Sequence, residues 1–140
     1  MALRVVVIGA TGVFGSRVAR RLARDARFEL VLAGRRRDVL EALRESLEDP
    51  SARIAVLDTG AARFADDLAE LRPQLVIHTA GPFQGQDYRV AEACLEAGCD
   101  YVDLADGRSF VTGIEQLDER ARAAGRLLVT GASSVPALSA

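Results

Sequence analysis

The chain has no lysine and no asparagine among its 140 residues, so all 18 basic residues are arginine. A mechanism that depends on an active-site lysine cannot be completed by these residues. Histidine occurs once, at His78, and cysteine only at Cys94 and Cys99. Two cysteines make neither a disulfide framework nor a spaced metal-ligand set, so no metal site is expected and a reducing, cytoplasmic compartment fits. Long apolar runs are also missing: Val5–Ile8 is cut by Gly9 after four residues. That is too short for a signal segment or a membrane span, and no membrane partner is expected. Net charge is −2 and the pI about 5.4, which argues against a nucleic-acid partner bound through phosphate neutralisation. What is present, 49% hydrophobic and 27% charged residues, is enough for one buried core and about one domain.

Continuous β-branched runs bounded by Gly and Asp predict strands covered on both faces. They fall at 4–8, 29–33, 53–57, 75–79, 101–104 and 127–130. Helical spacing fills the gaps at 13–24, 39–47, 61–71, 88–97 and 114–124, with Gly98 and Gly125 as C-terminal stops. Strict alternation predicts an α/β fold of Rossmann type, a doubly wound parallel sheet with helices on both faces. This dinucleotide-binding domain is expected to span 1–131. The segment 132–140, with Pro136 positioned to open a helix, reads as the start of a crossover into a further domain.

Gly9-Ala10-Thr11-Gly12-Val13-Phe14-Gly15 lies between the first predicted strand and the first helix. In that context Gly9 permits the tight turn, Gly12 admits a pyrophosphate to the backbone, and Gly15 lets the helix pack close on the sheet. Free N–H groups at the helix start then face the anion. The end of the second strand selects the dinucleotide. An acidic residue there would accept hydrogen bonds from the ribose of NAD, whereas this chain has Gly34-Arg35-Arg36-Arg37. Arg35 and Arg36 suit a 2′-phosphate, so NADP is favoured over NAD. Glu29 opens the same strand and lies at its wrong end.

Asp58, followed by Thr59 at the end of the third strand, is placed either to accept from the adenine amino group or to cap the next helix. Small residues in Thr79-Ala80-Gly81-Pro82-Phe83 leave room for ribose and nicotinamide over Ala80, Gly81 and Pro82. Asp103, ending the fifth strand, is the candidate catalytic carboxylate, for substrate positioning or proton transfer; capping a loop is its other reading. His78 reads as a satisfied core residue, and the cysteines as small apolar packers.

The glycine loop, the Gly34-Arg35 pair, the Thr79–Phe83 turn and the stretch from Ala91-Glu92-Ala93-Cys94 through Tyr101-Val102-Asp103-Leu104 together resemble the saccharopine dehydrogenase-like family. The resemblance covers that family's NADP-binding domain. It implies hydride transfer at a carbon–nitrogen bond, with a small-molecule substrate held by a second, dimerising domain beyond Gly131-Ala132-Ser133-Ser134-Val135-Pro136, and hence a homodimer. His78 stands where similar sequences often carry Asn. A non-catalytic NADP-binding sensor is the alternative from another class. A short-chain dehydrogenase mechanism fails on composition, because neither Tyr88 nor Tyr101 has the lysine that this chemistry pairs with its tyrosine.

Overall fold

The computed structural model describes residues 2–83 and 85–132. Six parallel strands form one sheet: β1 Leu3–Ile8, β2 Phe28–Gly34, β3 Arg53–Val56, β4 Leu75–His78, β5 Asp100–Asp103 and β6 Leu128–Val129. Their order is β3-β2-β1-β4-β5-β6, so the winding reverses between β1 and β4, where Ile8 pairs with His78. The helices are α1 Val13–Ala23, α2 Arg37–Ser46, α3 Phe64–Glu70, α4 Arg89–Ala97, α5 Arg108–Gly113 and α6 Asp118–Ala124.

Alternation of side chains along each strand explains why the central strands are apolar throughout. Val5 and Val7 pack with Leu30, Leu32, Ala19 and Leu40, under α1 and α2. Val6 and Ile8 point the other way, into a core with Val31, Val76, Leu68, Cys94 and Ala121 from the side of α3, α4 and α6. Both faces of the sheet are therefore covered, and the expected doubly wound architecture is the observed one. Burying a Leu or Val side chain on either face is worth about 1.5–3 kcal/mol.

Differences from the expected elements have local causes. The third helix starts at Phe64 rather than Ala61, because Asp58 Oδ1 accepts the Gly60 N–H at 2.9 Å and the chain stays in turns before it. The predicted helix over 114–124 divides into a 3₁₀ turn, Ile114–Leu117, and α6. An unforeseen short helix, α5, precedes it. Its sequence Arg108-Ser109-Phe110-Val111-Thr112-Gly113 has no apolar stripe, and its buried anchor is Phe110, packed with Phe83 and Ala105. β6 also departs from expectation: it is an edge strand of two residues, and Leu127 beside it is 63% exposed. Gly98 and Gly125 do terminate α4 and α6, each in the left-handed conformation. The predicted helical turn at Pro136 lies outside the described residues.

Candidate functional site

Where the winding reverses, the C-terminal ends of β1 and β4 part and leave a crevice, the usual ligand position in such sheets. A cleft of about 430 Å³ opens there, lined by Gly9, Thr11, Gly34, Arg35, Asp58, Thr59, Ala80, Gly81 and Gln86. A larger groove of about 600 Å³ lies away from it, at the β6 edge beside α6.

One wall is the glycine loop. Gly9 has φ +80°, and a Cβ there would stand 2.8 Å from the Ala80 nitrogen, so no other residue fits. At Gly15 a Cβ would lie 2.0 Å from the Gly9 carbonyl oxygen. Gly12 is different: a Cβ there would meet only that same oxygen, at 3.3 Å. Packing thus fixes two of the glycines and leaves the third open for a ligand.

Gly12 precedes α1 as its cap residue, and α1 has no side-chain cap and no acid in its first turn. The first α1 amide with a helical acceptor is that of Ser16, to the Gly12 carbonyl at 2.9 Å. Those of Val13, Phe14 and Gly15 precede it and are directed out of the helix start, where the dipole favours an anion. The exposed Val13 and Phe14 side chains (68% and 63%) do not line the cleft. Ala10 is turned away altogether: it is buried in the core beneath α1, and its N–H donates to Ala33.

At the end of β2, Arg35 lines the cleft and forms no ion pair among the described residues. Arg36 instead is the residue before α2, with no side-chain cap bond, and lies 3.6 Å from Asp38 at the surface. Glu29, at the opposite end of β2, binds Arg4 at 3.1 Å and Arg53 at 3.5 Å. Asp58 and Thr59 line the cleft, but α3 starts from Arg63, with no side-chain cap. The capping role considered for Asp58 is therefore not what the structure shows; its carboxylate folds its own turn instead.

The wall after β4 depends on a residue that the sequence did not single out. Gln86 Nε2 donates to the Ala80 carbonyl at 2.9 Å and also to that of Pro82, while its Oε1 faces His78 Nε2 at 3.3 Å. Gln86 thereby pins the exposed Gly81-Pro82 turn. With its amide so oriented, Oε1 must accept, which places the imidazole proton on Nε2. His78 is 2% exposed and its Nδ1 has no partner among the described residues. The expected satisfied core histidine is only half satisfied, and burial lowers its pKa below the usual histidine value.

Asp103 is fully buried at 0% exposure. Its carboxylate accepts from the Tyr101 hydroxyl at 2.5 Å, the Ala105 amide at 3.0 Å, the Thr130 hydroxyl at 2.8 Å and the Gly131 amide at 2.9 Å. It ties the end of β5 to the exit of β6 rather than lining the cleft. Burial, then the Asp103 charge, pushes the Tyr101 hydroxyl far up, so it stays a donor. Of the sequence-derived candidates, the fold brings together Gly9, Thr11, Gly34, Arg35, Asp58, Thr59, Ala80 and Gly81.

The arrangement fits a phosphorylated dinucleotide: an uncapped helix start beside an open glycine, a free arginine at the end of β2, and a pinned turn of small residues after β4. Comparison with known proteins agrees. The family model for the saccharopine dehydrogenase NADP binding domain matches residues 5–129. A trans-acting enoyl reductase of Mycobacterium leprae is 32% identical over 139 residues, covering 94% of this chain and 33% of that protein. A protein of Arabidopsis thaliana named as a probable mitochondrial saccharopine dehydrogenase-like oxidoreductase is 31% identical over 151 residues, covering 95% and 32%. The chain thus spans about a third of the length of the curated relatives it matches. Among solved structures, apo saccharopine dehydrogenase (L-Glu forming) of Saccharomyces cerevisiae superposes with a TM-score of 0.74 at 19% identity, over 94% of this chain and 27% of that one. A short-chain dehydrogenase/reductase family oxidoreductase of Burkholderia thailandensis gives 0.70 at 18% identity, over 99% and 72%. These two share the fold.

Proposed function

Because the chain belongs to the family of saccharopine dehydrogenase NADP-binding domains, we propose that it is the cofactor-holding part of an NADPH-dependent oxidoreductase acting on a polarised double bond. NADPH, when bound, supplies the hydride. The observation that carries the reading is the pairing of an α1 start at Gly12 that has no side-chain cap with an Arg35 at the end of β2 that has no ion pair among the described residues. The first receives a pyrophosphate through backbone N–H groups, and the second receives a 2′-phosphate through a guanidinium. The turn held by Gln86 fixes the floor on the nicotinamide side.

Two acceptor classes are proposed. The family resemblance points to a carbon–nitrogen double bond, and relatives named enoyl reductases add a conjugated carbon–carbon double bond. Among the described residues, Arg35 and Asp58 are the only ionisable groups lining the cleft, and Asp103 is saturated by donors. Substrate contacts and any proton donor are therefore proposed to come from outside these residues, in a protein that pairs as a homodimer. The reducing cytoplasm is the proposed location, on the strength of two free, buried thiols, Cys94 and Cys99. No helix among the described residues is long and apolar enough to cross a membrane.

The test is NADPH oxidation by the full-length protein that carries this chain, offered amine and keto-acid or aldehyde mixtures in one arm and enoyl thioesters in the other. Turnover in either arm is expected and identifies the acceptor class. Tight NADPH binding without turnover in both would instead support a sensor.

A further inference from the structure

Gly9, Gly15 and Thr79 meet at one point although Thr79, the residue that follows β4, lies far from them in sequence. The Thr79 hydroxyl lies 2.8 Å from the Ile8 carbonyl oxygen and 3.1 Å from that of Gly9, shared between the two acceptors. A Cβ at Gly9 would stand 2.8 Å from this hydroxyl oxygen, and one at Gly15 would stand 2.7 Å away. The hydroxyl occupies the space left by two absent side chains. The glycines are thus required partly by a side chain from β4, in addition to the turn and the helix contact.

We propose that Thr79 is a positioning residue for the pyrophosphate-binding loop, acting through the Gly9 carbonyl without touching the cofactor. That carbonyl also accepts the Gly12 N–H at 3.0 Å, and the Gly12 carbonyl accepts the Ser16 N–H at 2.9 Å. A chain of hydrogen bonds therefore runs from β4 through Gly9 and Gly12 to the start of α1. Its first member sets the tilt of the Gly9 peptide, and so the position of the outward amides of Val13, Phe14 and Gly15. The inference rests on the reading that this loop holds a pyrophosphate.

Removing the hydroxyl leaves neither carbonyl orphaned. Ile8 keeps the Thr79 N–H at 2.9 Å and Gly9 keeps that of Gly12, so the near-isosteric Thr79→Val chain is expected to fold. It loses the tether, and with it the fixed loop.

The experiment titrates NADPH and adenosine 2′-monophosphate, which has the 2′-phosphate but no pyrophosphate, into the wild-type chain, Thr79→Val and Thr79→Ser. Amide exchange at Gly12 is measured in the same chains without ligand. Thr79→Val is expected to weaken NADPH about three- to tenfold, the size of one lost hydrogen bond. It should leave adenosine 2′-monophosphate unchanged and speed Gly12 exchange, while Thr79→Ser retains wild-type behaviour in all three. Unchanged NADPH affinity and Gly12 protection in Thr79→Val would overturn the proposal, as would equal loss of both ligands, or a Thr79→Ser as impaired as Thr79→Val. A wild-type chain that binds no NADPH would remove the underlying cofactor reading, whereas the Gly12 exchange result judges the tether by itself.

Discussion

The two halves of the crevice are built by opposite means. On the β1–β2 side the backbone carries most of the site: a methyl group at Gly9 or Gly15 would collide with main-chain atoms as well as with the Thr79 hydroxyl, and the α1 start has no side-chain cap. On the β4–β5 side, side chains carry it. Gln86 holds the turn through two carbonyls and His78 backs Gln86, while behind the cleft Asp103 gathers donors from Tyr101 in β5, Ala105 after it and Thr130 after β6. A backbone-built site leaves a glycine pattern with fixed spacing, whereas a side-chain-built one leaves single polar residues whose partners are distant in sequence.

Substitutions that ignore this division should do most damage. Gly15→Ala places a Cβ 2.0 Å from the Gly9 oxygen, and the clash is expected to cost about 3 kcal/mol, visible in denaturant unfolding. Gly12→Ala, with its single 3.3 Å contact, should fold nearly as well as wild type yet bind NADPH worse. Equal unfolding midpoints for the two variants would break the distinction between a packing glycine and a ligand-facing one.

On the other side, Asp103→Ala strands the Tyr101 hydroxyl and the Gly131 amide in a buried site. Unmet buried donors cost about 1–3 kcal/mol each, so a loss of at least about 2 kcal/mol is expected by the same measurement. An unchanged midpoint would return Asp103 to the list of groups with a chemical role.

Arg35→Asp should weaken NADPH roughly tenfold or more, through a lost charge-assisted contact, with little change for NADH. Calorimetry that finds both cofactors weakened alike would remove Arg35 from the 2′-phosphate site. Arg36→Asp, at a residue already beside Asp38, should matter less.

The smallest effect concerns pH. Burial lowers the His78 pKa in the folded chain below its ordinary value of 6.5, so at intermediate pH the unfolded chain binds more protons. Stability is full above about pH 6.5 and declines as pH falls through the interval down to the folded pKa. His78→Asn should flatten that part of the stability profile relative to wild type. An identical profile in the variant would show that His78 does not titrate as its burial requires.

Most of the fold was legible because the central strands are apolar on both faces and the helices between them alternate regularly. The exceptions follow from weak local signals. α5 has a six-residue sequence with Thr and Gly in it and exists because Phe110 packs on Phe83. β6 reads as a covered strand by composition but lies at the edge of the sheet. Within the site, Gly9, Gly12 and Gly15 announced themselves through spacing, and Arg35 through its position after β2. Gln86 gave no such signal, since a glutamine three residues beyond Phe83 looks like any loop residue until its carbonyl partners converge on it. Asp103 was visible as a polar residue ending an apolar strand, but the donors that surround it come from as far away as Gly131. Ala10 was included with its loop neighbours, whereas its methyl group belongs to the core.

We propose that the α1 start and Arg35 together form a phosphate-selective dinucleotide site. Its most direct test is calorimetric titration of the 140-residue chain with NADPH and then NADH at one fixed salt concentration. Saturable binding of NADPH, roughly tenfold or more tighter than NADH, is predicted; equal affinities, or no binding of either, would contradict it.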